Sequence, residues 1–233
     1  MNVKEYFVGL NNNIAEIIET SFESKNGNDL SDMFQFVDEL SIWESILNKT
    51  TDTTLLISAI KEFELGFQAV LSGQYRYAFI AQRYFIEQIT RFIYLSTNEL
   101  HLRHWKLGIR DVSWGSLIDN ENGVFSKVFI RAFFQGIEDE GGNFISLSSK
   151  MYRESSEFVH GNFDKINILP EKIAFQGDML ERWLEYMETG KLIAMFLLFM
   201  RFSKDLDASD LAKLEAMASD ELCGIDGFEC LFQ

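Results

Sequence analysis

The sequence predicts an all-α protein, and three observations carry that expectation. A chain of 233 residues contains a single proline, Pro170, and long helices exclude proline because it lacks the amide proton and clashes with the preceding turn. Apolar residues recur at intervals of three and four through most of the chain. The alternating β-branched runs expected of sheets do not occur. At this length the chain can bury a full core, and its 22 phenylalanines supply much of the apolar volume.

Taken in order, Val3, Phe7, Leu10, Ile14, Ile17 and Ile18 line one face of a helix that the polar run 24–28 ends. A second helix is expected from Leu30 to Leu47, followed by a turn at 48–53 rich in capping residues. The centre reads as a helical hairpin. One arm runs from Thr54 to Leu71, the other from Gln74 to about Leu95, and Gly73 supplies the left-handed residue between them. In the second arm Tyr77, Ala81, Tyr84, Phe85, Ile89, Phe92 and Ile93 form the expected apolar face, and Arg83 and Glu87 stand at pairing distance, four residues apart. Residues 98–143 are less regular and read as a helix-and-loop insert containing a helix at 125–134. A further helix from about Ile145 to His160 stops at Gly161. Residues 166–175, around Pro170, read as extended, with a short strand or two. A long helix covers about 178–203 and a weaker one 209–218. The expected organisation is an N-terminal helical extension (1–50), a helical bundle (51–205) with its insert at 98–143, and an acidic C-terminal helix and tail (206–233).

Composition narrows the function. A net charge of −15 argues against a protein that coats nucleic acid through spread positive charge, while leaving room for a local basic site. The first nine residues carry Lys4 and Glu5 and lack a signal peptide's apolar run. The most apolar stretch, Leu192 to Met200, falls far short of the roughly 20 residues of a membrane span and reads as a buried core helix. Cys223 and Cys230 both lie near the C-terminus with no histidine beside them, so neither a framework disulfide nor a zinc site is expected, and a reducing cytoplasm is the expected location.

The chemically pointed feature is Arg153 and His160, in Tyr152-Arg153-Glu154-Ser155-Ser156-Glu157-Phe158-Val159-His160-Gly161. Seven steps of a helix come to about 700°, so the two share a face about 10 Å apart along the axis. An anionic group such as a phosphodiester fits between them. Histidine titrates near neutrality and serves as general acid or base, and the negative end of the helix dipole favours a cation at His160. Arginine clamps phosphate and steadies developing charge. The same residues admit a structural role: Arg153 can pair with Glu157, and His160 can simply cap the helix. A second cationic group, His101, Arg103, His104, Lys106 and Arg110 around Trp105, fits an RNA-docking patch, or equally a surface helix whose tryptophan packs inward.

The Arg153-to-His160 spacing, on a late helix that follows the Leu71-Ser72-Gly73-Gln74-Tyr75-Arg76 turn and Ala81-Gln82-Arg83 with Glu87, resembles the HEPN family of small helical-bundle proteins, many of them ribonucleases. The resemblance covers roughly residues 54–203. It implies a metal-independent endoribonuclease without cofactor, dimeric across the two motif helices, serving as a microbial toxin or anti-phage defence effector. His160 would then be the general base or acid for attack by the RNA 2′-hydroxyl and Arg153 would stabilise the phosphorane; the family's roles map onto those two residues only. Arg103, His104, Lys106 and Arg110 are expected to contact substrate on the separate ground of their own charge beside Trp105. A regulatory partner protein is expected separately, from the acidity of the chain. Glu154 departs from the family pattern, which places Asn, Asp or His after the arginine. A non-catalytic HEPN-like interaction module and a purely structural helical adaptor are the alternatives.

Overall fold

A computed structural model describes residues 2–225 and residue 228. Among these residues there are eleven α-helices and no strand: α1 (Val3–Glu23), α2 (Gly27–Leu47), α3 (Thr54–Leu71), α4 (Tyr75–Leu95), α5 (Glu99–Lys106), α6 (Trp114–Leu117), α7 (Lys127–Phe133), α8 (Gly141–Val159), α9 (Phe163–Asn167), α10 (Gly177–Phe202) and α11 (Ala208–Leu222). The all-α expectation holds. No helix among the described residues is long and apolar enough to cross a membrane.

The hairpin of α3 and α4 is the frame. Gly73 takes φ +70, which reverses the chain at little cost for a residue without a side chain. Gly66 then faces Ala81, two small residues that let the arms approach closely. Within α4 the buried side is Tyr75, Ala78, Phe79, Gln82, Phe85, Ile86, Ile89 and Ile93. Tyr77 and Tyr84, expected on that face, are 62% and 41% exposed. The other five residues of the expected face, Ala81, Phe85, Ile89, Phe92 and Ile93, are buried; the two tyrosines fall at its edge, outside the sides of α4 that α3, α8 and α10 cover. The spacing of Arg83 and Glu87 also misleads. Glu87 has arginines four residues away on both sides and takes Arg91, at 2.7 Å, while Arg83 donates to the Tyr152 hydroxyl at 2.7 Å.

Helix α10 runs through the middle, and its residues Ile193 to Met200 are wholly buried. Burying each large apolar side chain contributes roughly 1.5–3 kcal/mol, which makes this the densest source of stability in the chain. Leu30, Met33, Phe36, Leu40, Trp43 and Ile46 of α2 enter the same core, with the Trp43 ring edge-on to Phe199 at 4.8 Å. The bundle therefore begins at α2, and of the segment expected as an extension only α1 is largely exposed. Helix α11 closes the far side, contributing Leu214, Met217 and Leu222. The segment 166–175 forms no strand: α9 covers its start, and the chain then turns around Pro170 to reach α10. A short run of Ile and Leu does not distinguish strand from helix, and Asn162, a residue favoured at helix starts, precedes α9. Cys223 is exposed; Cys230 lies outside the described residues.

Candidate functional site

Helix α8 buries Phe144, Ser148, Met151, Ser155 and Phe158, a stripe spaced by three and four. At about 100° per residue, Arg153 and His160 stand about 160–180° from it, and both are exposed. They point away from the core on one solvent face. Of the remaining residues on that face, Gly142, Ser146 and Ser149 are small, Lys150 adds a further exposed cation, and the Glu157 side chain is 31% exposed and bonded to Lys165.

The helix end that holds His160 is fixed from several sides. His160 donates its backbone N–H to Ser156 O at 3.0 Å. Gly161 takes φ +65, and Asn162 N–H returns to Glu157 O at 3.0 Å, so the helix closes with the left-handed stop that the sequence predicts. From α4, Arg76 donates to Phe158 O at 3.1 Å and to Val159 O at 3.5 Å, placing a guanidinium on the last carbonyls. Below them Phe158 stacks on Phe79 with centroids 4.2 Å apart. Nearly two turns earlier, Tyr152 stacks on Trp114 at 4.2 Å and accepts the Arg83 hydrogen bond.

The carboxylates of α8 are turned inward toward cations of other helices. Glu154 meets Lys165 of α9 at 2.8 Å and Arg182 of α10 at 3.3 Å, and Glu157 meets Lys165 at 3.1 Å. The hydrogen bond from Lys165 holds the Glu154 carboxyl below its ordinary range against the opposing effect of burial, with Arg182 and Arg153 adding to the effect. Burial pulls Lys165 down, but its bonds to Glu154 and Glu157 outweigh that and leave it raised. Glu157 thus goes to Lys165, and no Arg153–Glu157 pair forms. Neither Arg153 nor His160 makes a side-chain hydrogen bond or ion pair with another described residue.

The second cationic group lies elsewhere. Helix α8 runs antiparallel to α4, with Arg76 at Phe158 and Arg83 at Tyr152, so His160 sits at the start of α4. Helix α5 sits at its other end. There Arg103 and Lys106 line a cavity of about 640 Å³ with Phe92, Leu95 and Ser96, roughly 28 Å away at 1.5 Å per residue. Arg103 is bonded to Glu99 at 2.5 Å, Lys106 is paired with Asp52, Arg110 contacts the His101 ring at 3.0 Å, and His104 is half-buried. Trp105 packs against the core. The structure therefore does not bring this group to the Arg153–His160 pair, and the two cations that line its cavity are paired with carboxylates.

Sequence reasoning passed over Arg76 as a contributor to this end of α8. Its partners lie more than 80 residues away, and no local spacing reports such a contact. Among the described residues, no group of three or more His, Cys, Asp and Glu is placed to hold a metal ion. No protein-family model, curated protein or solved structure matches the chain.

Proposed function

We propose that the protein is a HEPN-type endoribonuclease that cuts RNA without a metal, acting as a toxin or defence effector, with Arg153 and His160 as its catalytic residues. The observation that carries this reading is that both side chains stand unpaired on the solvent face of α8, although neighbouring carboxylates were available to neutralise them. Phosphodiester cleavage asks for that pair of groups. The His160 imidazole takes the 2′-hydroxyl proton, O2′ attacks phosphorus, and Arg153 balances the charge gathering on the phosphorane oxygens. The P–O5′ bond then breaks, leaving a 2′,3′-cyclic phosphate, and O5′ receives a proton from an imidazolium. Gly142, Ser146 and Ser149 on the same face allow a second copy of α8 to approach closely, which fits a homodimer with a composite site. Glu154, the departure from the family pattern, supports the helix from its inner side and lies off the reacting face.

Cleavage of a labelled mixed RNA in EDTA tests the reading, comparing the wild type with His160→Ala and Arg153→Ala. The expected outcome is cutting by the wild type and a loss of roughly 10²–10⁴-fold in each variant, with unchanged far-UV circular dichroism. The neutralised α5 cations and the charge of −15 favour a second reading, a non-catalytic interaction module; equal inertness of all three proteins selects it.

A further inference from the structure

In a chain this acidic, most cations are spent on carboxylates of their own molecule. The exceptions along α8 are Lys150 and Arg153 on the helix itself, Arg83 bonded to Tyr152, Arg76 on the last carbonyls, and, beyond the helix end, Lys172, which stands in no ion pair among the described residues. Arg76 and Lys172 line the same cleft of about 220 Å³, between the α3–α4 turn and residues 169–173. Tyr77 lines its outer side and is 62% exposed, so its ring is open to a ligand. The cleft is held open by its frame. Gln176 N–H donates to the Tyr75 hydroxyl at 2.7 Å, the backbone at Ala174 lies so close to Gly73 that a side chain there would meet it, and Asn13 of α1 donates to Ile173 O at 3.0 Å. A preformed cleft with an aromatic lip and two cations has the chemistry of single-stranded nucleic-acid binding: a ring for a base and positive charge for a phosphate.

We infer that this cleft is a nucleotide subsite, in which the base next to the scissile phosphate stacks on Tyr77 and its phosphate lies between Arg76 and Lys172. The inference rests on the ribonuclease reading of Arg153 and His160. Arg76 joins the two places, since the side chain that lines the cleft also grips the carbonyl next to His160. A strand laid along α8 passes Lys150, then Arg153, then His160, spanning about 15 Å of helix axis, and enters the cleft beyond. Glu171 sits on the same lip and weakens the hold on phosphate, so removing its charge strengthens binding.

The test uses the full chain and a short single-stranded RNA in two forms, one natural and one fluorescein-labelled with 2′-fluoro sugars that cannot be cut. Tyr77→Ala is expected to weaken binding of the uncuttable strand about tenfold. Lys172→Ala weakens it less and lowers the slope of log Kd against log salt by about 0.7, while Glu171→Gln tightens it. On the natural strand Tyr77→Ala raises KM by a similar factor with a smaller change in kcat, whereas His160→Ala abolishes cutting and still binds. If the wild type cuts but Tyr77→Ala and Lys172→Ala match it in both Kd and KM, the subsite is overturned and the ribonuclease reading stands. If the wild type neither binds nor cuts, both fall together.

Discussion

Glu154 shows how one residue separates the inner from the outer side of α8. Its carboxylate joins α8 to α9 through Lys165 and to α10 through Arg182, and its side chain is only 20% exposed. Glu154→Gln keeps the shape and removes the charge, leaving a largely buried Lys165 with Glu157 alone; the expected cost is roughly 1–3 kcal/mol at neutral pH. The pH dependence has a definite sign. The folded-state carboxyl is held below its ordinary 4.5, so its contribution is fully present above that value and is lost as pH falls through the folded-state pKa. Urea midpoints of wild type and Glu154→Gln should therefore differ at pH 7 and converge in acid. A difference that persists unchanged in acid strong enough to protonate the folded-state carboxyl would show that the ion pairs are not its source. The exposed Glu185→Gln serves as the control and should move neither midpoint. The spacing of Arg153 and His160 was readable in the sequence because a helix fixes both on one face. Where Glu154 would turn was not, because its partners come from helices that only tertiary packing brings beside it.

Helix ends were the most legible elements. Gly73 and Gly161 both mark stops in the sequence, and both take positive φ in the structure. Their surroundings differ, which sets an order for substitution. A methyl group at either position meets the left-handed penalty of about 1–2 kcal/mol. At Gly73 it would also stand 2.8 Å from the Ala174 carbonyl oxygen, which belongs to rigid backbone, whereas at Gly161 its nearest neighbour is the flexible tip of Ile166 at 3.4 Å. Gly73→Ala should therefore lower the urea midpoint clearly more than Gly161→Ala, and equal losses would rule out the close approach at Ala174 as a constraint. Because that approach also frames the Tyr77 cleft, Gly73→Ala should weaken RNA binding as well. The chain between α9 and α10 was the least legible. Its apolar residues fit either a strand or a short helix, and its path is set by contacts with Gly73, Tyr75 and Asn13, none of them local.

At the scale of the whole molecule, the sequence supplied the helices and the long buried core of α10, but not the company each helix keeps. An apolar stripe on α2 demands burial without naming its partner. The structure answers with a clamp in which α2 and α11 close on α10 through Lys191, bonded to Glu221 at 2.7 Å and near Glu39 at 3.7 Å. One cation here serves more carboxylates than it can neutralise. Burial pushes Glu39 up, Lys191 opposes this, and Glu221 and Asp220 reinforce it. Glu188 is raised by burial, against Lys191 and with help from Glu221, Asp29 and Asp32. A carboxyl raised in the folded state binds its proton more tightly there than in the unfolded chain, so protonation favours folding. Its stabilising effect is complete below the ordinary 4.5 and fades as pH rises through the folded-state value. Glu154 and Asp52, both lowered, act in the opposite sense and lose their contribution only in stronger acid. Tm should accordingly rise as pH falls from neutrality through the raised carboxyls toward their ordinary 4.5, then decline in stronger acid. Glu39→Gln removes one of the crowded charges permanently, so it should raise Tm at pH 7.5 and flatten the first limb while leaving the acid limb in place. Salt at pH 7.5 should reproduce part of that gain by screening a chain of charge −15. A Tm that stays level across the first limb in the wild type, or a Glu39→Gln protein that keeps the full slope, would place the electrostatic strain of this molecule somewhere other than the Lys191 clamp.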